Sequence, residues 1–406
     1  MHVAILTRQI GHYHNARYRG AADAIEHVTV ISTINQGGFS EFLAKETGGY
    51  DVERIFPNPD DYNAALAKGG VRQAIIETLD RLKPDAIAVL GWSMPESLAA
   101  LAWGNQNQTP LIMMSETQAD DAPRSFLREA IKRRIVGLSQ SALVGGPPQA
   151  QYIEALGIDE DSIFYGYNAV DNDHFSEKSD AARKNAAEIR RALNLPECYI
   201  LASARFIAKK NLPTLVKAYA DARLKVDSAP DLVILGDGAE KSAIEAAITE
   251  TGLADHVLLP GYRGYEDLPS LYGLSEGFAH VSTREQWGLV INEAMASAVP
   301  VLVSDRCGAS RTLLKDGHSG WIVDPFDQAD MTRALIALFS MTAEDRETMG
   351  QAARDDAKDW GPARFGSGLK QAAEKAISKT PARKAGPITQ FILDRFSSKA
   401  IQSAID

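Results

Sequence analysis

The sequence predicts an α/β fold built from two doubly wound parallel sheets. Three observations carry that reading. Short apolar strands alternate with helical stretches along most of the chain, as in parallel sheets covered by helices on both faces. Several strands run into polar, glycine-bearing loops, where open sheets of this kind seat ligands. The length of 406 residues exceeds one ordinary core and implies two. Hydrophobic content of 45% and charged content of 24% are those of a soluble globular protein. No run of 18 apolar residues exists. The net charge of −10 argues against nucleic acid as a bulk partner. Cys198 and Cys307 form neither a disulfide framework nor a metal-ligand spacing. The first residues read as a strand without a basic leader, so a cytoplasmic location is expected.

In the N-terminal half, residues 2–7 are a strand leading into the polar loop and helix 8–20. The loop is not Gly-x-Gly-x-x-Gly, so a dinucleotide fingerprint is absent. Strands are expected at 27–33, 86–90, 111–114 and 141–145, and helices at 71–82, 97–103 and 148–156. Residues 39–67 read as irregular. The strand 111–114 ends at Ser115-Glu116-Thr117, where Glu116 could be an acceptor ligand, a base or a helix cap. Residues 123–138 carry Arg124, Arg128, Lys132, Arg133 and Arg134 between apolar residues, which makes a basic-faced amphipathic helix. Such a helix could lie on an anionic membrane, or it packs on the sheet with its charges solvated.

The C-terminal half opens with a charged helix at 179–193, read as part of a linker. A strand at 199–204 is followed by Arg205 and Lys210, five positions apart across a loop that enters the helix 212–222. A guanidinium fork and an ammonium point charge aimed at one spot suit a diphosphate. The strand 232–235 ends in the tight turn Gly236-Asp237-Gly238, and the strand 257–259 ends at Pro260-Gly261-Tyr262-Arg263. The strand 277–281 then runs into the stretch 282–305, around which the other features gather. There Glu285 lies in a turn, Gly288 and Leu289 open a helix to about 297, and Glu293 lies on that helix eight positions after Glu285. A helix start presents unpaired amides and positive potential, which suits a phosphate. Helices at 330–339, 343–359 and 360–376, a linker at 378–387 and a short helix at 388–405 complete the chain.

The two glutamates, the small-residue helix holding Ala294 and Ala296, and the apolar strand after Pro300 resemble the group 1, family 4-like retaining nucleotide-sugar glycosyltransferases. That family is typified by sucrose synthase and bacterial mannosyltransferases. Asn168, Val170, Asp171 and Phe175 also match its crossing segment between domains, whereas Tyr167 and Ala169 do not. The resemblance implies the GT-B fold, two Rossmann-like domains facing across a cleft. An acceptor-side domain at 1–170, a nucleotide-sugar domain at 171–362, and a crossover helix and tail at 363–406 are expected. By the same resemblance Glu285, Arg205 and Lys210 are catalytic. Glu293, Gly288, Leu289, Gly236, Tyr262 and Arg263 bind the donor, and Gly11, His12, His14 and Glu116 lie on the acceptor or sugar side. No metal and no cofactor beyond the nucleoside-diphosphate sugar is implied. The acceptor is a saccharide or is lipid-linked, with peripheral contact at the inner membrane face through helix 123–138. Two departures stand out: Ser115 and Glu116 replace a histidine usual in relatives, and Arg311 a glutamate. They leave one alternative open, a non-catalytic nucleotide-sugar-binding partner subunit; the other alternative is a GT-B-like nucleotide-sugar epimerase, whose relatives lack the Arg205–Lys210 and Glu285–Glu293 pairing.

Overall fold

The computed structural model describes residues 1–35, 48–379 and 384–397. The chain divides into two units: Met1–Ala169 together with the segment from Gly361, and Val170–Trp360.

The first unit holds β1 (His2–Thr7), β2 (His27–Ile34), β3 (Asp51–Phe56), β4 (Ala86–Leu90), β5 (Leu111–Ser115), β6 (Ser141–Val144) and β7 (Ile163–Tyr165). They form one parallel sheet in the order β3-β2-β1-β4-β5-β6-β7. Its central strands are apolar on both faces because helices cover both. The C-terminal helix Pro362–Ser378 belongs to this unit, where it buries Phe365, Leu369, Ala372, Ala373 and Ala376. It packs on the helix His12–Ala24, and Gly20 and Gly366 bring the two backbones into contact.

The second unit holds β8 (Tyr199–Ser203), β9 (Asp231–Leu235), β10 (Val257–Gly261), β11 (Gly277–His280), β12 (Val301–Ser304) and β13 (Gly320–Val323). This sheet is also parallel, in the order β10-β9-β8-β11-β12-β13. The chain winds outward from β8 in one direction and from β11 in the other. The loops after these two strands therefore flank the topological switch point, where doubly wound sheets bind ligands. Both units match the doubly wound α/β class that the sequence predicts.

Four expectations are corrected. The stretch read as irregular at 39–67 contains β3 and the helix Pro59–Ala67, whose Asn58 cap accepts from the Asp61 amide at 2.9 Å. As an edge strand β3 is only half-buried, so it lacks the apolar run of a central strand. The supposed linker helix at 179–193 is two helices, Asn172–Lys184 and Ala186–Leu193. The first is part of the second unit's core, with Phe175, Ser179 and Ala182 buried and the Ser179 hydroxyl bonded to the Pro269 carbonyl at 2.8 Å. The basic helix is shorter, Phe126–Val136, and Lys132 is not on its charged face. Lys132 is buried and pairs with Glu129 at 3.3 Å. Finally, the expected linker at 378–387 lies partly outside the described residues, and its last part is anchored by the Ala385 amide on Asn105 Oδ1 at 2.9 Å. Of the helix expected at 388–405, the described part is Pro387–Phe396.

Candidate active site

The loop after β8 and the loop after β11 are joined by their backbones, since the Thr283 amide donates to the Lys209 carbonyl at 2.8 Å. Lys209 and Lys210 end a short turn, Ala208–Lys210. Asn211 then adopts a left-handed φ of +57° and bonds Pro325 O at 2.8 Å, which fixes where the following helix Leu212–Arg223 starts. The β11 loop is in turn bonded to the loop after β12, where the Gly308 amide donates to the Glu285 carbonyl at 3.3 Å.

These bonds put Glu285 among cations. Its Oε2 is in contact with Lys210 Nζ, and its Oε1 lies 3.9 Å from Lys209 Nζ. His280, at the end of β11, places Nε2 3.4 Å from the same carboxylate and 3.1 Å from Ser282 Oγ. Burial opposes the charge on Glu285, but the His280 hydrogen bond and the two ammonium groups outweigh it and hold the carboxyl well below its ordinary value. His280 is itself held neutral, by burial first and then by the Lys210 charge. Arg205 stands apart from this network: it is exposed, and nothing among the described residues binds its guanidinium.

Gly288 begins the helix Leu289–Ala296 at φ +96°, and a Cβ there would meet Ile291 Cδ1 at 2.8 Å and Glu285 Cγ at 3.4 Å. Only glycine takes this conformation readily. Trp287 clamps the turn from behind by donating Nε1 to Asn292 Oδ1 at 2.8 Å and accepting from the Ala309 amide at 3.1 Å. At this helix start the Ile291 amide donates to the Gly288 carbonyl at 2.9 Å, and the Leu289 and Val290 amides ahead of it have no acceptor four residues back within the helix, the arrangement that suits an anion.

Glu293 lies on the buried side of the same helix and belongs to a different cluster. It accepts from the Tyr272 hydroxyl at 2.8 Å, and burial raises its pKa to about 7. Gly236 and Gly238 hold the β9 loop against the β8 loop, since a Cβ on either would strike the Ala204 or Phe206 carbonyl oxygen at 1.9 and 2.5 Å. Beyond β10, Tyr262 is exposed and Arg263 has a buried Nε without a partner among the described residues.

In the first unit, Gly11 caps the helix His12–Ala24 and its amide donates to His14 Nδ1 at 3.2 Å. His14 is half-buried, and desolvation, then Arg17, lowers its pKa to about 3, so it stays neutral. His12 is half-buried in the same first turn. Glu116 follows β5 and lies close enough to Tyr167 to raise its pKa after burial does so. The structure thus gathers Lys210, Glu285, Gly288 and Leu289 on neighbouring loops, with Gly236 supporting them. Lys209, His280, Ser282 and Tyr272 were missed by sequence reasoning. A histidine ending an apolar strand two residues before Ser282-Thr283 was a signal for His280; Tyr272 gave none, because it comes from a distant helix.

Residues 185–356 match the family described as "Glycosyl transferases group 1". An alpha-D-kanosaminyltransferase of Streptomyces kanamyceticus is 31% identical over 45% of this chain and 46% of its own. A GDP-mannose-dependent alpha-(1-6)-phosphatidylinositol monomannoside mannosyltransferase of Mycobacterium tuberculosis is 29% identical over 56% of this chain and 59% of its own. The chain thus spans about half the length of these curated relatives. The solved sucrose-phosphate synthase of Thermosynechococcus elongatus superposes with a TM-score of 0.71 at 19% identity, covering 94% of this chain and all of that one. The fold, the matched region and the joined loops at the second sheet's switch point agree: the chain has the GT-B fold, and its residues 185–356 match the group 1 glycosyl transferases.

Proposed function

We propose that the protein is a retaining glycosyltransferase that moves a sugar from a nucleoside-diphosphate donor to a saccharide or lipid-linked acceptor without a divalent metal. The observation that carries this reading is the Lys209–Lys210–Glu285 cluster beside the N-terminus of the helix Leu289–Ala296. Two ammonium groups against one carboxylate leave an excess of positive charge where a diphosphate would sit. Negative charge builds on the diphosphate as the glycosidic bond breaks, so fixed cations and amides lower the barrier. Arg205, with no partner among the described residues, closes over the same diphosphate when the donor binds. Glu285, kept ionised, accepts from the donor sugar's hydroxyls, while Glu293 accepts from the ribose. The acceptor attacks from the face the nucleotide leaves, with Gly11, His12, His14 and Glu116 on its side. Tyr262 and Arg263 meet the base.

The mycobacterial relative's name supplies both a nucleoside-diphosphate sugar and a lipid acceptor, which supports these substrate classes. No helix among the described residues is long and apolar enough to cross a membrane. The expected setting is cell-surface polysaccharide or glycolipid synthesis in the cytoplasm, at or near the inner membrane face.

Thermal melting against UDP, GDP, ADP, CMP and NAD tests the donor site. A ligand at ~100-fold its dissociation constant adds about 2.7 kcal/mol of stability. One nucleoside diphosphate is expected to raise Tm, and Lys210→Ala and Glu293→Ala to abolish the rise. Absence of a shift with every nucleotide would sink the assignment. With the donor known, the anomeric configuration of the product and activity in EDTA test retention and metal independence.

A further inference from the structure

In the second unit, the large apolar side chains left exposed among the described residues are Leu224, Tyr262 and Phe326. Tyr262 follows β10 and Phe326 follows β13, the two edge strands of the sheet. Both stand at the carboxyl ends of strands, the side on which open sheets bind ligands. Between them lie the loops after β8 and β11, which carry the Lys209–Lys210–Glu285 cluster. Tyr262 is read above as meeting the nucleotide base, whereas Phe326 has no role yet. Ordinary packing is open to Phe326 and it does not take it. Asp327 caps the helix Gln328–Phe339 by accepting from the Ala329 and Asp330 amides at 2.9 and 3.2 Å. An apolar residue just before such a cap commonly packs on the fourth residue of the helix, here Met331. Met331 is fully buried, yet Phe326 is 67% exposed. The ring is nevertheless fixed. The Phe326 amide donates to Asp324 Oδ1 at 2.9 Å, and the Arg306 guanidinium lies over the ring, 5.8 Å from its centre.

A single exposed apolar residue needs no explanation by itself. This one is tied to the candidate active site by two bonds. The Glu285 amide donates to the Arg306 carbonyl at 3.4 Å, and Asn211, which follows Lys210, donates Nδ2 to the Pro325 carbonyl at 2.8 Å. Arg306 is held in turn by its amide on Ser304 Oγ at 3.0 Å, and its Nε lies 3.1 Å from Asp305 Oδ1, with both side chains partly in solvent. Strand order then gives the direction of a bound donor. With the base at β10 and the diphosphate at the β8 and β11 loops, the donor sugar points toward β12 and β13. β13 lies two strands past β11, about 10 Å at the usual strand spacing. What comes after the donor sugar is the acceptor. We propose that Phe326, Arg306 and Asp305 form a saccharide subsite, in which a pyranose ring of the acceptor stacks on Phe326. A pyranose has an apolar C–H face for the ring and hydroxyls at its rim for the guanidinium and the carboxylate. A lipid chain fits poorly, because one ring flanked by two charged groups gives it little apolar surface to bury. The inference rests on the donor site proposed above and adds the chemical class of the acceptor part that lies beside it.

The test is saturation-transfer difference NMR of the full chain with maltose, mannobiose and melibiose, run with and without the nucleoside diphosphate that raises Tm. Wild-type protein is expected to transfer saturation to the ring protons of at least one of these sugars. Phe326→Ala and Arg306→Gln are each expected to raise that sugar's Kd about tenfold, and Phe326→Tyr to retain binding. Because the Phe326 side chain is exposed, Phe326→Ala should keep the wild-type melting curve and the nucleotide-induced rise in Tm, which confirms that the variant folds. A wild-type protein that no nucleotide stabilises sinks the donor site, and this inference with it. A wild-type protein that is stabilised by a nucleotide but transfers saturation to none of the sugars overturns the saccharide subsite alone. So does Phe326→Ala protein that binds the sugar like wild type. If Phe326→Ala weakens the matching nucleotide sugar and leaves the disaccharide untouched, the ring meets the donor sugar, and the proposal is overturned as stated.

Discussion

Glu285 and Glu293 stand eight positions apart, yet their carboxyls meet opposite surroundings. Glu285 is ionised by His280 and two lysines, whereas among the described residues Glu293 has only a tyrosine hydroxyl and a buried wall. The sequence marks both residues but not this difference, because the lysines lie 75 positions away and Tyr272 lies on another helix. The difference is measurable. Burial raises the Glu293 carboxyl to about 7 from 4.5. Below about pH 4.5 both folded and unfolded chains keep this proton, and it costs nothing. Between there and about pH 7 the unfolded chain loses it first, so the folded state binds more protons and stability falls as pH rises. Above about pH 7 the full penalty stays, on the order of 3 kcal/mol for such a shift. Glu293→Gln keeps an acceptor for Tyr272 and removes the titration. Urea unfolding is therefore expected to show the variant gaining on wild type by about 3 kcal/mol between about pH 5 and pH 8. Glu285 does not disturb this window: its pKa is lowered, so its contribution is lost only in stronger acid. A difference between the proteins that is the same at both pH values would count against a buried, near-neutral Glu293.

At the scale of elements, the loops at the switch point are held by glycines that do different jobs. Gly288 was legible from sequence as the start of a helix, and its φ of +96° fits that role. A Cβ there meets the end of a flexible isoleucine, so Gly288→Ala pays mainly for left-handed backbone, about 1–2 kcal/mol. Gly236 was legible only as part of a tight turn. Its Cβ would lie 1.9 Å from the Ala204 carbonyl oxygen, a backbone atom that cannot step aside unless the β8 loop moves. Gly236→Ala is therefore expected to lower stability by more than Gly288→Ala, by roughly 3 kcal/mol or more, in the range of strained and overpacked core changes. It should also weaken nucleotide binding through the displaced Arg205–Lys210 loop. Equal Tm losses in the two variants would contradict this ranking. Elements carrying a strong apolar period, such as β4 and the helix Gly70–Leu82, were readable; β3 and β7 were not. Both are edge strands with half-exposed patterns, and their place is set by partners such as β2 rather than by their own sequence.

For the whole molecule, the first unit is discontinuous: the chain leaves it after Ala169 and returns at Gly361. The sequence foretold a returning helix but not how tightly it sits. The helix Pro362–Ser378 completes the core around β1, β5 and β6, so this unit is unfinished until the last tenth of the chain is in place. Its closest approach runs through two glycines. A Cβ on Gly366 would lie 1.9 Å from the Gly20 carbonyl oxygen, and one on Gly20 would lie 2.1 Å from that of Pro362. Both glycines are helical, so Gly366→Ala suits the helix itself, where alanine is favoured by about 1 kcal/mol. The clash must overcome that gain by separating two packed helices, at a net cost of about 2–4 kcal/mol. The expected result is a lower melting transition for the first unit, read from near-ultraviolet signals of Trp92 and Trp103. The nucleotide-induced stabilisation, read from Trp287 and Trp360 in the second unit, should persist. If Gly366→Ala left both transitions in place, the helices would be able to part at no cost, and the glycine contact would not be what completes the first unit. If it erased the nucleotide response together with the first transition, the two units would unfold as one cooperative body.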